Sequence, residues 1–187
     1  TGDNTTFGVN KTSIVAGNYL TLRAKVDFKN EFVGSVDNLN LVIDLPESIS
    51  FVENSVMVGN SVASYTMDGN RLIIPIGVND LVRFCIIPTA GGNYAPTAFA
   101  QFDIDHKTVM QPIGSANFAV KDLTITVPSI VAKTTIPVSG TAIGKSNIEI
   151  YDNGVLIGQT NSLANGVWAT TCELKEPYNL SVHNIYA

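Results

Sequence analysis

From residue 20 to 28 the chain alternates strictly: Leu20, Leu22, Ala24, Val26 and Phe28 fall on one side, and Thr21, Arg23, Lys25 and Asp27 on the other. A period of two marks a strand with one face in a core and one in solvent. Residues 39–45 repeat the pattern with Leu39, Leu41, Ile43 and Leu45 inward, and Pro46, which carries no amide proton, ends the ladder. Residues 81–87 place Val82, Phe84 and Ile86 opposite Arg83, Cys85 and Ile87. In residues 97–105, Ala98, Ala100, Phe102 and Ile104 alternate with Phe99, Gln101, Asp103 and Asp105. Between two apolar-rich segments sits Asp68-Gly69-Asn70, the cue for a hairpin whose turn needs positive φ. No stretch repeats apolar residues at helical spacing for long enough to predict a helix, and "PESIS" predicts one turn at most. Short strands separated by Gly, Pro, Asn and Asp predict an all-β sandwich or barrel.

The pattern resets near "NFAVKDLTITVPSIV", where a strand around Phe118 to Val120 gives way to a new alternation of Leu123, Ile125 and Val127. This predicts two tandem β-domains, 1–120 and 121–187. The linker is short and lacks a Gly/Ser or Pro-rich run, so semi-rigid stacking is expected. In the second unit, Asn153-Gly154 and Asn165-Gly166 predict two hairpin corners. Trp168, Thr170, Cys172 and Leu174 share one face by alternation, so Trp168 is expected in the core rather than on a ligand platform. Leu180 and Val182 fit one face of a closing strand, and continuing it to Ile185 and Ala187 requires a β-bulge near His183 and Asn184.

Composition narrows the partners. Of 187 residues only 14% are charged, net charge is −5, and the eleven Lys and Arg are scattered singly. No basic patch can neutralise a row of phosphates, so no nucleic-acid partner is expected. No apolar run approaches the length needed to cross a bilayer, so no membrane contact by this segment is expected. Cys85 and Cys172 fall in different units and are read as free thiols. Asn4, Asn10 and Asn179 begin Asn-x-Ser/Thr triplets, which matter only in a eukaryotic secretory pathway.

Two family resemblances are carried by these segments. "SIVAGNYLTLRAKVDFKN", "LNLVIDLPESISFVENSVMV", "DGNRLIIPIG" and "DLVRFCI" resemble, in order, the conserved repeat domain of bacterial and archaeal surface proteins known as domain of unknown function eleven. The likeness spans most of residues 1–120 and departs in lacking Pro before Gly17 and in a short segment near Asn79-Asp80. From about Thr124 onward, "PVSGTAIGKSNIEIYDNGVLIGQT", "NGVW" and "YNLSVH" are similar to bacterial immunoglobulin-like domains. Together the resemblances imply an all-β chain of two tandem immunoglobulin-like β-sandwich domains, a module of an extracellular bacterial protein at the cell surface or in the wall, with a Gram-positive host expected. They also raise the Lys-to-Asn or Lys-to-Asp isopeptide bonds of such proteins, for which Lys25 and Lys133 are the possible donors, although Lys25 lies on a polar face.

Chemistry is sparse. His106 and His183 lie in different units without ligand-spaced partners, so both are expected at the surface and no metal is expected. Asp103 and Asp105 on one strand face could share Ca²⁺, but solvated outer-face acids are the simpler reading, since no Asp-x-Asp-x-Asp-Gly loop accompanies them. No Gly-x-Ser-x-Gly elbow or Cys-His pairing within a unit suggests a nucleophile, and no cofactor is expected. "TAGGNYAP" reads as a turn with Tyr94 at its tip. The expectation is therefore a non-catalytic spacer whose partners are neighbouring domains of the same chain. The alternative is an adhesin module that binds carbohydrate or a surface protein through a patch such as Tyr65, Tyr94 and Phe99. No catalytic, ligand-binding or metal residue is assigned.

Overall fold

The computed structural model describes residues 2–129, 134–174 and 183–187. Lys133, Asn179, Leu180 and Val182 lie outside the described residues, so the expected run from Leu180 through a bulge to Ala187 is described only from His183 onward. Among the described residues the helical content is a 3-10 turn at Val33–Ser35. The chain divides into two compact units, Thr1–Val120 and Lys121–Ala187.

Strands are numbered in chain order. The first sheet of the first unit runs β1 (Thr6–Val9), β3 (Leu20–Lys25), β10 (Leu81–Pro88), β6 (Met57–Val58), β7 (Ser61–Val62), and β5 (Ile49–Phe51) also pairs with β10. The second runs β13 (Lys107–Ser115), β12 (Thr97–Ile104), β4 (Asp37–Asp44), β9 (Arg71–Pro75), β8 (Thr66–Asp68). A small third sheet holds β11 (Gly92–Tyr94), β14 (Phe118–Lys121) and β2 (Ser13–Val15). Alternation along the strands explains the layering. Leu20, Leu22, Val82, Phe84 and Ile86 of the first sheet share one core with Leu41, Ile43, Leu72, Ile74, Ala98 and Ala100 of the second. This is a β-sandwich, as the period of two predicts.

Several details depart from the pattern. The apolar face of residues 20–28 is buried throughout, but the ladder stops at Lys25. Beyond it the backbone pairs with loops: Asn79 N–H donates to Val26 C=O and Gly2 N–H to Asp27 C=O. Phe28 still reaches the core and meets Phe102 edge-on at 4.9 Å. Val42, on the outward side of β4, is nevertheless fully buried. Its cross-strand neighbours Phe99 and Ile73 flank it. "TAGGNYAP" is not simply a turn, because its Gly92–Tyr94 pairs with β14 as β11.

In the second unit, β15 (Thr124–Thr126), β16 (Thr135–Thr141) and β19 (Val167–Glu173) form one sheet, and β18 (Val155–Asn161), β17 (Asn147–Asp152) and β20 (Ile185–Tyr186) the other. Ile136, Val138, Ile148, Ile150, Trp168, Cys172 and Leu174 form its core. Asn153 and Gly154 both take positive φ, 46° and 86°, and close the β17–β18 hairpin as predicted. Trp168 is 1% exposed, so the core reading holds. Its place depends on Gly140 opposite it in β16. A Cβ there would collide with Thr124 O and lie 2.6 Å from Trp168 Cζ2.

Candidate functional site

In the first unit an open cleft of about 520 Å³ lies between β5 and β8, and Leu45, Glu47, Phe51, Glu53, Tyr65 and Met67 are among the residues that line it. Strand pairing determines what its walls offer. Val52 N–H donates to Cys85 C=O and Thr89 N–H to Ser48 C=O. In an antiparallel ladder hydrogen-bonded pairs alternate with unbonded ones, so residues 48, 50 and 52 address β10 and the peptide groups of Phe51 turn away from it. Pro88, opposite Ile49, fits this register because that position needs no amide proton.

The same logic applies to β8. Leu45 N–H donates to Asn70 C=O, so residues 70, 72 and 74 address β4 and residues 71 and 73 address β8. Their partners Asp68 and Thr66 therefore bond to β9, and Met67 turns its N–H and C=O outward. Neither outward edge pairs with another strand among the described residues. The cleft thus has an unpaired strand edge on each side.

Its lining is apolar, aromatic and acidic apart from Ser50 and Asn70. Tyr65 meets Phe51 edge-on at 4.8 Å, and its hydroxyl accepts a 3.2 Å hydrogen bond from Asn54 N–H, which holds the ring in place. Glu47 and Glu53 are exposed, and neither forms an ion pair among the described residues. Sequence patterning names Tyr65 but misses this cleft, because edges follow from pairing order rather than from local composition.

The aromatic patch of Tyr65, Tyr94 and Phe99 is not supported by ring contacts. Tyr65 packs on Phe51, Tyr94 stacks on Phe118 at 5.7 Å and donates its hydroxyl to Ala90 C=O, and Phe99 sits between Pro112 and Val42 in the second sheet. Asp103 and Asp105 do not share a strand face. Asp105 and His106, at φ 49° and 59°, form the two-residue turn between β12 and β13. The Asp103 carboxylate accepts from Asn38 Nδ2 at 2.8 Å and Thr108 Oγ1 at 2.7 Å. Those two bonds, Asn38 first, hold its pKa below the ordinary carboxylate value. Among the described residues no group of three or more His, Cys, Asp or Glu is placed to hold a metal ion.

In the second unit the expectation of a surface His183 is corrected. Its Nδ1 lies 2.6 Å from Oδ2 of Asp152, a carboxylate only 3% exposed at the end of β17. The short distance places one hydrogen bond between the ring nitrogen and the carboxyl group. The two residues are remote in sequence, and only the pairing of β17 with β20 brings them together. Cys85 and Cys172 are free, and burial pushes the Cys172 thiol pKa up. Lys25 sits across from Thr6 and Leu81 at the edge of the core.

No protein-family model matches the chain, and no curated protein matches it. Among solved structures it is similar to domains D2 and D3 of the major pilin SpaD from Corynebacterium diphtheriae, at 13% identity and TM-score 0.47, covering 91% of this chain and 73% of that one. A 35 kDa C-terminal fragment of the major pilin GBS80 of Streptococcus agalactiae gives 11% identity and TM-score 0.47, covering 90% and 78%. The collagen-binding domain of a Staphylococcus aureus adhesin gives 11% identity and TM-score 0.38, covering 64% and 98%. With TM-scores below 0.5, these likenesses assign neither a ligand nor a role to the cleft.

Proposed function

We propose that the chain is a non-catalytic structural module of a bacterial cell-surface protein, a pair of β-sandwiches that positions neighbouring domains. The observation that carries this reading is where the large side chains go. Phe84, Leu20, Leu22, Leu41 and Ile43 are spent on closing the first unit, and Trp168 and Ile150 on closing the second. Each unit therefore resists opening through its own core, at about 1.5–3 kcal/mol per buried large apolar side chain. In the first unit β2, near its start, and β14, at its end, are hydrogen-bonded neighbours. Tension on the two ends of that unit meets the β1–β3 ladder at its start and the pairing of β14 with β2 and β11 at its end. The bacterial surface, a Gram-positive host and the surface-repeat and immunoglobulin-like assignments of the two units rest on the motif resemblances of the sequence.

Stretching the chain in a force spectrometer tests this: a spacer unfolds in discrete events at forces that separate it from a compliant tether. A second reading, that of a binding module for a protein or glycan, is favoured by the open cleft between β5 and β8.

A further inference from the structure

We propose that this cleft receives an extended peptide segment of a partner protein, which adds a strand to the free edge of β8 and places basic side chains against Glu47 and Glu53. The proposal rests on the binding-module reading and deepens it by naming the class of partner.

Three observations converge. First, Met67 turns its N–H and C=O away from β9, and β8 has no other strand neighbour among the described residues. An unpaired edge is a template for another strand, and pairing supplies backbone hydrogen bonds without regard to sequence. Second, Phe51 presents its own peptide groups from the opposite wall, and its ring and that of Tyr65 form an apolar surface fixed by the Asn54 hydrogen bond. An added strand has alternate side chains that point to opposite faces, so one set can lie on this aromatic wall. Third, the charged residues lining the cleft are Glu47 and Glu53, with no Lys or Arg among them. Charge complementarity then selects Lys or Arg at the alternate positions. An aromatic wall beside carboxylates also suits a cation, which gains from both.

The register provides a selective test. Met67 occupies an unbonded position of the β8–β9 ladder, so Met67→Pro removes the outward N–H without removing a ladder bond. The probes are a labelled short peptide of alternating Lys and Val, its Glu/Val counterpart, and a Lys/Pro control that cannot pair as a strand. Fluorescence polarisation is expected to show binding of the Lys/Val peptide alone. Met67→Pro should weaken it about tenfold or more, the loss of one well-made hydrogen bond and its neighbours. The double variant Glu47→Lys/Glu53→Lys should prefer the Glu/Val peptide. Hydrogen exchange on the unaltered protein supplies a check that needs no variant, since the Met67 amide should gain protection when the Lys/Val peptide is added.

The proposal is overturned if the Lys/Val peptide does not bind at millimolar concentration, if the variants bind it as the parent does, or if the Met67 amide stays unprotected. Self-association that Met67→Pro abolishes would assign the edge to a second copy instead. Glycan binding lost in Tyr65→Ala, with no peptide binding, would retain the binding-module reading while rejecting strand addition. Absence of both would reject that reading as well.

Discussion

Asp152 Oδ2 and His183 Nδ1 lie 2.6 Å apart across the second unit, linking the end of β17 to the residue two places before β20. The carboxylate is buried, and its other oxygen, Oδ1, has no hydrogen-bond partner among the described residues. His183→Ala should therefore leave a buried carboxyl group without this partner and destabilise the second unit by about 1–3 kcal/mol. Adding Asp152→Asn should recover part of that loss. Denaturation followed by fluorescence of Trp168, the single tryptophan of the chain, reads the second unit directly.

Gly140→Ala should also destabilise the second unit, by about 1–3 kcal/mol, because the new methyl group meets the Thr124 carbonyl oxygen and the buried Trp168 ring. The Trp168 emission should shift to the red in the native variant if the ring is displaced towards solvent. An unchanged spectrum and midpoint would show that β16 and β15 separate freely, contrary to the packing described.

Asp103 offers a titration. Its carboxyl pKa is held down by Asn38 and then by Thr108, so the pairing contributes stability above the unfolded carboxyl pKa of about 3.9. That contribution is lost as pH falls through the lower folded value. Asn38 occupies positive φ, so Asn38→Gly removes the amide donor without straining the backbone. The Asp103 carboxyl carbon, followed by NMR, should then titrate at higher pH than in the parent, and Thr108→Val should act in the same direction.

How much of this was legible in the sequence differs by feature. The inward sets Leu20, Leu22 and Ala24, Leu41 and Ile43, and Ala98 and Ala100 follow from alternation, because a half-buried strand imposes its period on its own residues. The Asn153-Gly154 corner follows from the tolerance of those residues for positive φ. Asp105-His106 escapes the same logic because neither residue is glycine and the alternation runs straight into the turn. Val42 reads as an outward position and is buried only because Phe99 and Ile73 flank it on neighbouring strands. The Asp152–His183 pair and the β5–β8 cleft depend on which strands are neighbours, information that no local window contains.

Cys172 provides a probe of opening. Burial raises its thiol pKa, and its Sγ fills the space beside Gly158, where a Cβ would lie 2.6 Å away. The reactive species is the thiolate, so iodoacetamide should label Cys172 slowly in the native chain and rapidly once the second unit unfolds. His183→Ala should accelerate native labelling, and mass spectrometry of the two cysteine-containing peptides measures it.

Single-molecule stretching tests the structural-module account most directly. Two closed sandwiches predict two separate unfolding events, with contour gains of about 40 nm and about 20 nm for the first and second units. Extension of either unit without a discrete force event, or one event releasing both together, would contradict it.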